Sequence, residues 1–305
     1  MFDKMLKMQK KYNDIVVGTD IDVASLEKIT QELALCAHAE LSSLVNATNF
    51  KKHHGSLEKI DRDTILCESV DVIRYIMAIL NTWNVSHHEF ENAFKRKDDY
   101  LWIQQDMSDK TWSGEKVAII DIDDVLSEFR CTFAGWLSNK YKIEIDVQSE
   151  EYYFITALSN LDCNPELIFE SFIKESGFYT LPVVENAREF LKNLKNQGYW
   201  IQLLTARPDD DLKCFYDTFS WLKETDIYFD RIDFSGEKFR WCAKSEYYDD
   251  GAIQFAIDDS PKHALEYAKH GIKCYVPHKS YNRNLDNNRI YFYNDFDQLL
   301  RLIQD

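Results

Sequence analysis

"VAIIDIDDVLSEF", residues 117–129, decides the fold. Four aliphatic residues in a row read as a strand buried on both faces, and three carboxylates, Asp121, Asp123 and Asp124, follow directly behind it. In an open parallel α/β sheet, ligands gather at the carboxyl ends of the strands, where loops converge and helix N-termini point. The same design recurs downstream: Thr205 closes "IQLL", and Asp258 with Asp259 close "QFAI". Acids crowded at one sheet edge repel one another unless a cation screens them, and hard oxygen ligands in this number suit Mg²⁺.

Working outward, the runs VAIID, WIQLLT, IYFDRIDF, IQFAIDD and KCYVP alternate with polar helical stretches such as ENAREFLKNLKNQG and SPKHALEYAKHG. That alternation predicts βαβ units and a parallel sheet. Upstream the periodicity changes. Between Ile21 and Ala47, apolar residues recur at spacings of three and four, which predicts an amphipathic helix. A second helix fits Thr64 to Trp83. A third runs from about His87 to Gln104 behind a capping box of Ser86 and Glu89. The seam lies in "DMSDKTWSGEK", residues 106–116. The chain is therefore expected to be multidomain, with an all-α domain over 1–110 and an α/β Rossmann-like domain over 111–305.

The formal net charge is −16, of which residues 1–113 hold −4 and the remainder −12. Such an excess repels a phosphate backbone, so no nucleic-acid polymer is expected as a partner, whereas a small phosphorylated ligand can bind through metal ions. No apolar stretch approaches the roughly 20 residues needed to cross a bilayer, and the start lacks a signal-peptide core. These features predict a soluble cytoplasmic protein with no membrane partner. Seven cysteines without a CxxC pair fit reduced thiols.

The order D-x-D-D-V-L, a strand ending in Thr, a Lys, then a strand ending in D-D resembles the haloacid dehalogenase superfamily of phosphotransferases, from residue 116 to about 303. The resemblance implies Asp121 as nucleophile, Asp123 as general acid and base, Thr205 as a ligand of the phosphoryl oxygens, and a lysine between nucleophile and phosphate. Lys238 and Lys244 compete for that place, and Lys238, 20 residues before Asp258, matches the family's placement better. The implied Mg²⁺ shell comprises Asp121, the Asp123 carbonyl and Asp259, supported by Asp258. Asp124 is expected to cap or shape the turn. Ser260 departs from the Arg that related phosphatases often carry. A small helical cap is expected at about 133–178, with Trp136 and Tyr153 as stacking faces for a base and Arg207 as a further substrate ligand. "DIDDVLSEF", "GFYTLPVVENAREFLKNL" and "LLTARP" together look like the 5′(3′)-deoxyribonucleotidase branch, which dephosphorylates nucleoside monophosphates.

The helical half resembles the all-α nucleoside triphosphate pyrophosphohydrolases, the dimeric dUTPase, dCTPase and MazG group. These hold Mg²⁺ with an E-x-x-E pair on one helix and an E-x-x-D pair on the next. Here Glu68 and Asp71 supply the second pair, but the first reads Ala37-His38-Ala39-Glu40, so one carboxylate is replaced by Ala37. Lys51 and Lys97 match basic positions that would meet the triphosphate, Asp99 stands where the family commonly has Asn, and Gln9 is placed to meet the base. The resemblance also implies a homodimer through the helical domain. Together the halves predict a bifunctional enzyme acting on small nucleotide substrates, triphosphate to monophosphate and monophosphate to nucleoside, a role suited to a virus that remodels nucleotide pools. Two other readings remain: a polynucleotide 3′-phosphatase, and a phosphatase whose helical domain only senses nucleotide or dimerises.

Overall fold

The computed structural model describes residues 1–16, 23–48, 60–152, 154–159, 161 and 164–304. They fall into two compact units, Met1–Lys95 and Arg96–Asp305. The chain is multidomain: a helical N-terminal part is followed by an α/β part with one parallel sheet.

The helical part is built from α1 (Phe2–Val16), α2 (Val23–Asn46), α3 (Arg62–Thr82) and α4 (His87–Ser108), the last of which continues into the second unit. Local chemistry fixes the ends. The Asp61 carboxylate accepts from the Asp63 and Thr64 amides to start α3. At α4 the capping box forms reciprocally, with the Ser86 amide donating to Glu89 at 2.8 Å and the Glu89 amide donating to Ser86 Oγ at 3.2 Å. Inside the first unit, few described side chains are fully enclosed: Leu6, Gln9, Ala37, Met77 and Ala78.

In the second unit β1 (Lys116–Ile120) leads into α5 (Phe129–Tyr141), α6 (Ile155–Ser159), α7 (Pro165–Lys174) and α8 (Ala187–Asn196). Then come β2 (Tyr199–Thr205), α9 (Leu212–Glu224), β3 (Arg231–Phe234), α10 (Lys238–Cys242), α11 (Glu246–Asp249), β4 (Ile253–Ile257), α12 (Pro261–Lys269), β5 (Lys273–Pro277), β6 (Ile290–Tyr293) and α13 (Phe296–Gln304). The six strands are all parallel, in the order β3-β2-β1-β4-β5-β6. Chain progression reverses between β1 and β4, which opens a crevice above their carboxyl ends.

Alternation along β1 explains its unbroken apolar run. Val117 and Ile119 enter one core with Trp200, Ala256 and Tyr267, while Ala118 and Ile120 enter the other with Leu203, Ile257 and Phe190. Each buried aliphatic side chain contributes about 1.5–3 kcal/mol.

Three local features differ from the sequence expectation. Only Arg231–Phe234 of "IYFDRIDF" is strand, because the Asp230 carboxylate takes the Ile201 amide at 2.9 Å and the ladder begins after it. The edge strand β6 follows the polar stretch "NLDNNR" and was not anticipated. Lys244 does not lie within the helix of Lys238, which ends at Cys242.

The segment behind α5 is anchored by Arg130, with Ser280 Oγ also donating to the Ser149 carbonyl at 2.8 Å. Arg130, only 5 % exposed, donates to the main-chain carbonyls of Val147, Ser149, Glu151 and Tyr152 at 2.8–3.0 Å. Among the described residues, no helix is long and apolar enough to cross a membrane.

Candidate active site

Asp121 directly follows β1 and Asp258 directly follows β4; Ile120 pairs with Ile257, so the two aspartates emerge side by side at the crevice. Lys238, the first residue of α10, is held between them with Nζ at 2.7 Å from Asp121 Oδ1 and 2.7 Å from Asp258 Oδ2. Asp259 completes a buried group in which carboxylate oxygens of Asp121, Asp258 and Asp259 lie within 4.8 Å of one another. Its Oδ2 accepts from the Tyr281 hydroxyl at 2.7 Å, while Oδ1 is buried with no hydrogen-bond partner among the described residues. Three carboxylates against one ammonium leave uncompensated negative charge out of contact with water. An orphaned acceptor in an all-oxygen set fits a hard divalent cation.

The electrostatics follow from burial. Loss of solvent raises Asp121 to about 6 in spite of Lys238. Burial, then repulsion from Asp124, Asp121 and Asp258, drives Asp259 well above the carboxylate range. Burial alone would lower Lys238, but the two aspartates outweigh it and hold its ammonium above the ordinary value. Burial and nearby Lys238 bring His263 down to about 4, which keeps its imidazole neutral.

Asp123 faces a different partner. Arg207 donates to it through Nε (2.9 Å to Oδ2) and Nη2 (2.6 Å to Oδ1), and Ser127 Oγ donates to Oδ1 at 2.9 Å. Arg207, expected as a substrate ligand, lines the cavity and is bound to Asp123, its guanidinium lying beside Phe178 and Trp221 and tied to Thr218. Thr205 ends β2 fully buried, its hydroxyl accepting from the Arg207 amide at 3.2 Å. Asp124 adopts a left-handed φ of 56° and caps α5 by accepting from the Arg130 amide at 3.0 Å. Lys244 is exposed and lies past the end of α10.

A cavity of about 980 Å³ is lined by Asp121, Asp123 and Lys238 together with Phe129, Phe133, Phe154 and Phe169. Trp136 is not among its walls; it stacks on Phe133 and donates to Glu175 at 2.7 Å, among the aromatic residues of α5 and α7. Tyr153 lies outside the described residues. Sequence reasoning missed Ser127, for which a lone serine gave no signal.

In the first unit, α2 and α3 bring Glu40, Glu68 and Asp71 together, all half-buried, with oxygens within 4.8 Å. Ala37, one turn before Glu40, is buried and offers no fourth ligand. Gln9 is 7 % exposed and accepts from Arg74 Nε at 3.3 Å, so it is enclosed by its own helices. Lys51 lies outside the described residues. Lys97 and Asp99 belong to the second unit, where Lys97 donates to the Tyr216 hydroxyl at 2.8 Å and Asp99 binds Ser220 at 2.8 Å and Lys223 at 3.0 Å.

A family model described as dUTPase matches residues 1–174. The chain belongs to the dUTPase family. No curated protein matches this dUTPase-family chain. Solved structures similar to it include a predicted phosphatase from Clostridium acetobutylicum (17% identity, 63% of this chain and 99% of that chain, TM-score 0.45). Another is an HAD-family hydrolase from Deinococcus radiodurans with bound phosphate and sodium (13% identity, 63% and 98%, TM-score 0.44). A third is a predicted phosphoglycolate phosphatase from Haemophilus somnus (13% identity, 63% and 99%, TM-score 0.43).

Proposed function

We propose that this dUTPase-family chain is a nucleotide phosphohydrolase with two centres, a phosphomonoesterase in the α/β unit and a nucleoside triphosphate pyrophosphohydrolase in the helical unit. The observation that carries the first is the convergence of Asp121, Lys238, Asp258 and Asp259, of which Asp121 and Lys238 line an aromatic-walled cavity. In that reading Asp121 Oδ attacks phosphorus, the bond to the leaving oxygen breaks, and its electron pair takes the proton of Asp123. Water then attacks the aspartyl-phosphate, giving its proton to Asp123 and releasing phosphate. Thr205 and Lys238 hold the phosphoryl oxygens. Asp121, Asp259 and the Asp123 carbonyl would hold Mg²⁺, with Asp258 in support, and the ion would offset the charge of those oxygens. The cavity, with stacking faces opposite a phosphate site, suits a nucleoside monophosphate.

The Glu40, Glu68 and Asp71 cluster supports the second centre, which would also take Mg²⁺ and release pyrophosphate from a deoxyuridine, deoxycytidine or thymidine triphosphate. Leu35, Leu66, Val70 and Ile73 stand exposed on α2 and α3, which supports a homodimer through these helices. Quantifying phosphate and pyrophosphate separately over all common nucleoside mono- and triphosphates tests both centres. Asp121→Asn should stop phosphate release only, and Glu68→Ala pyrophosphate release only. Phosphate release that survives Asp121→Asn overturns the first reading.

A further inference from the structure

Asp123 lines the cavity with a side chain that is 21% exposed, yet most of its acceptor capacity is already used. An ionised carboxylate offers about four lone-pair positions. Oδ1 accepts from Arg207 Nη2 and from Ser127 Oγ, and Oδ2 accepts from Arg207 Nε. One position remains, on Oδ2.

The partners that fill the other three are themselves immobilised. The Arg207 side chain is fully buried; its Nη1 donates to Thr218 at 3.2 Å and its Cζ lies 4.5 Å from the Phe178 ring centroid. Ser127 is also fully buried, five residues past the loop's start at Ile122, whose carbonyl accepts its amide.

We propose that Oδ2 of Asp123 is the oxygen that takes and gives the proton during phosphoryl transfer, and that Arg207 and Ser127 are the positioning residues that reserve it. The inference rests on the phosphomonoesterase reading. A fork that grips both carboxylate oxygens fixes the plane of the group and so the place of that one open position. Water attacking the aspartyl-phosphate must give its proton there, so the second half-reaction depends most on Arg207.

Arg207→Lys keeps the charge and removes the fork. p-Nitrophenolate leaves without needing a proton, so with p-nitrophenyl phosphate the variant should complete the first half-reaction and stall in the second. The expected trace is a burst of about one nitrophenolate per active site, then a steady state about 100-fold below the parent, with KM not raised. With deoxyuridine monophosphate, whose leaving alkoxide needs the proton, kcat should fall at least as far and no burst should form. Ser127→Ala, which leaves the charge balance intact, should show the same burst with a roughly fivefold loss. A raised KM, or equal losses on both substrates without a burst, overturns the inference alone. A parent enzyme that releases phosphate from neither substrate overturns the phosphomonoesterase reading and the inference with it.

Discussion

The two carboxylate clusters in this chain have the same size and opposite settings. Asp121, Asp258 and Asp259 are each at most 6 % exposed and share a built-in cation, Lys238. Glu40, Glu68 and Asp71 are half-buried on α2 and α3, and among the described residues no lysine bridges them in the way Lys238 bridges Asp121 and Asp258. A dry cluster must be compensated by the fold itself, whereas a partly wet one can wait for its ion in water. The difference predicts that without an ion the first site depends on its internal cation for folding stability and the second does not.

The most drastic way to break that contrast is Asp121→Asn, which should reduce phosphate release by at least about 10³-fold while leaving pyrophosphate release intact. Next, Lys238→Met strips the internal cation. Chemical denaturation without added divalent cation should show a loss of about 3–5 kcal/mol, since two buried carboxylates lose their partner. Loading with Mg²⁺ sharpens the comparison further: ion at about 100 times its dissociation constant should stabilise the parent by about 2.7 kcal/mol for each site it fills. Thermal melts should lose the part of that gain due to the buried site in Asp259→Asn and the part due to the helical site in Glu68→Gln. Smaller still, Ser86→Ala removes one half of the α4 capping box and should cost about 1 kcal/mol in the same melts. Finally, burial pushes the Cys214 and Cys242 thiols up to about 12, so at pH 8 an alkylating reagent should label exposed Cys36, Cys67 and Cys131 and spare those two.

What was legible in the sequence follows the same physics. Strand ends could be read because each carboxylate interrupts a run of aliphatics that only a two-faced core explains, and the helix start at Ser86 carries its cap within three residues. The pairing of Glu40 with Glu68 and Asp71 rested on helical spacing and a family resemblance. The grip of Arg207 on Asp123 was not legible, because it joins residues far apart in the chain and the same guanidinium could equally have faced a phosphate. Trp136 was misplaced for a related reason: an aromatic on a cap helix can stack on a base or on its neighbours, and here Phe133 and Phe172 claim it. Lys97 and Asp99 matched a family pattern by position, yet α9 supplies their partners.

Arg130 holds residues 147–152 through carbonyl oxygens alone. Every amino acid presents the same carbonyl, so this grip is blind to side-chain identity. Substitution scanning should therefore find a tolerant loop hung from an intolerant arginine, a place where the rim of the cavity can be rewritten without unhooking it.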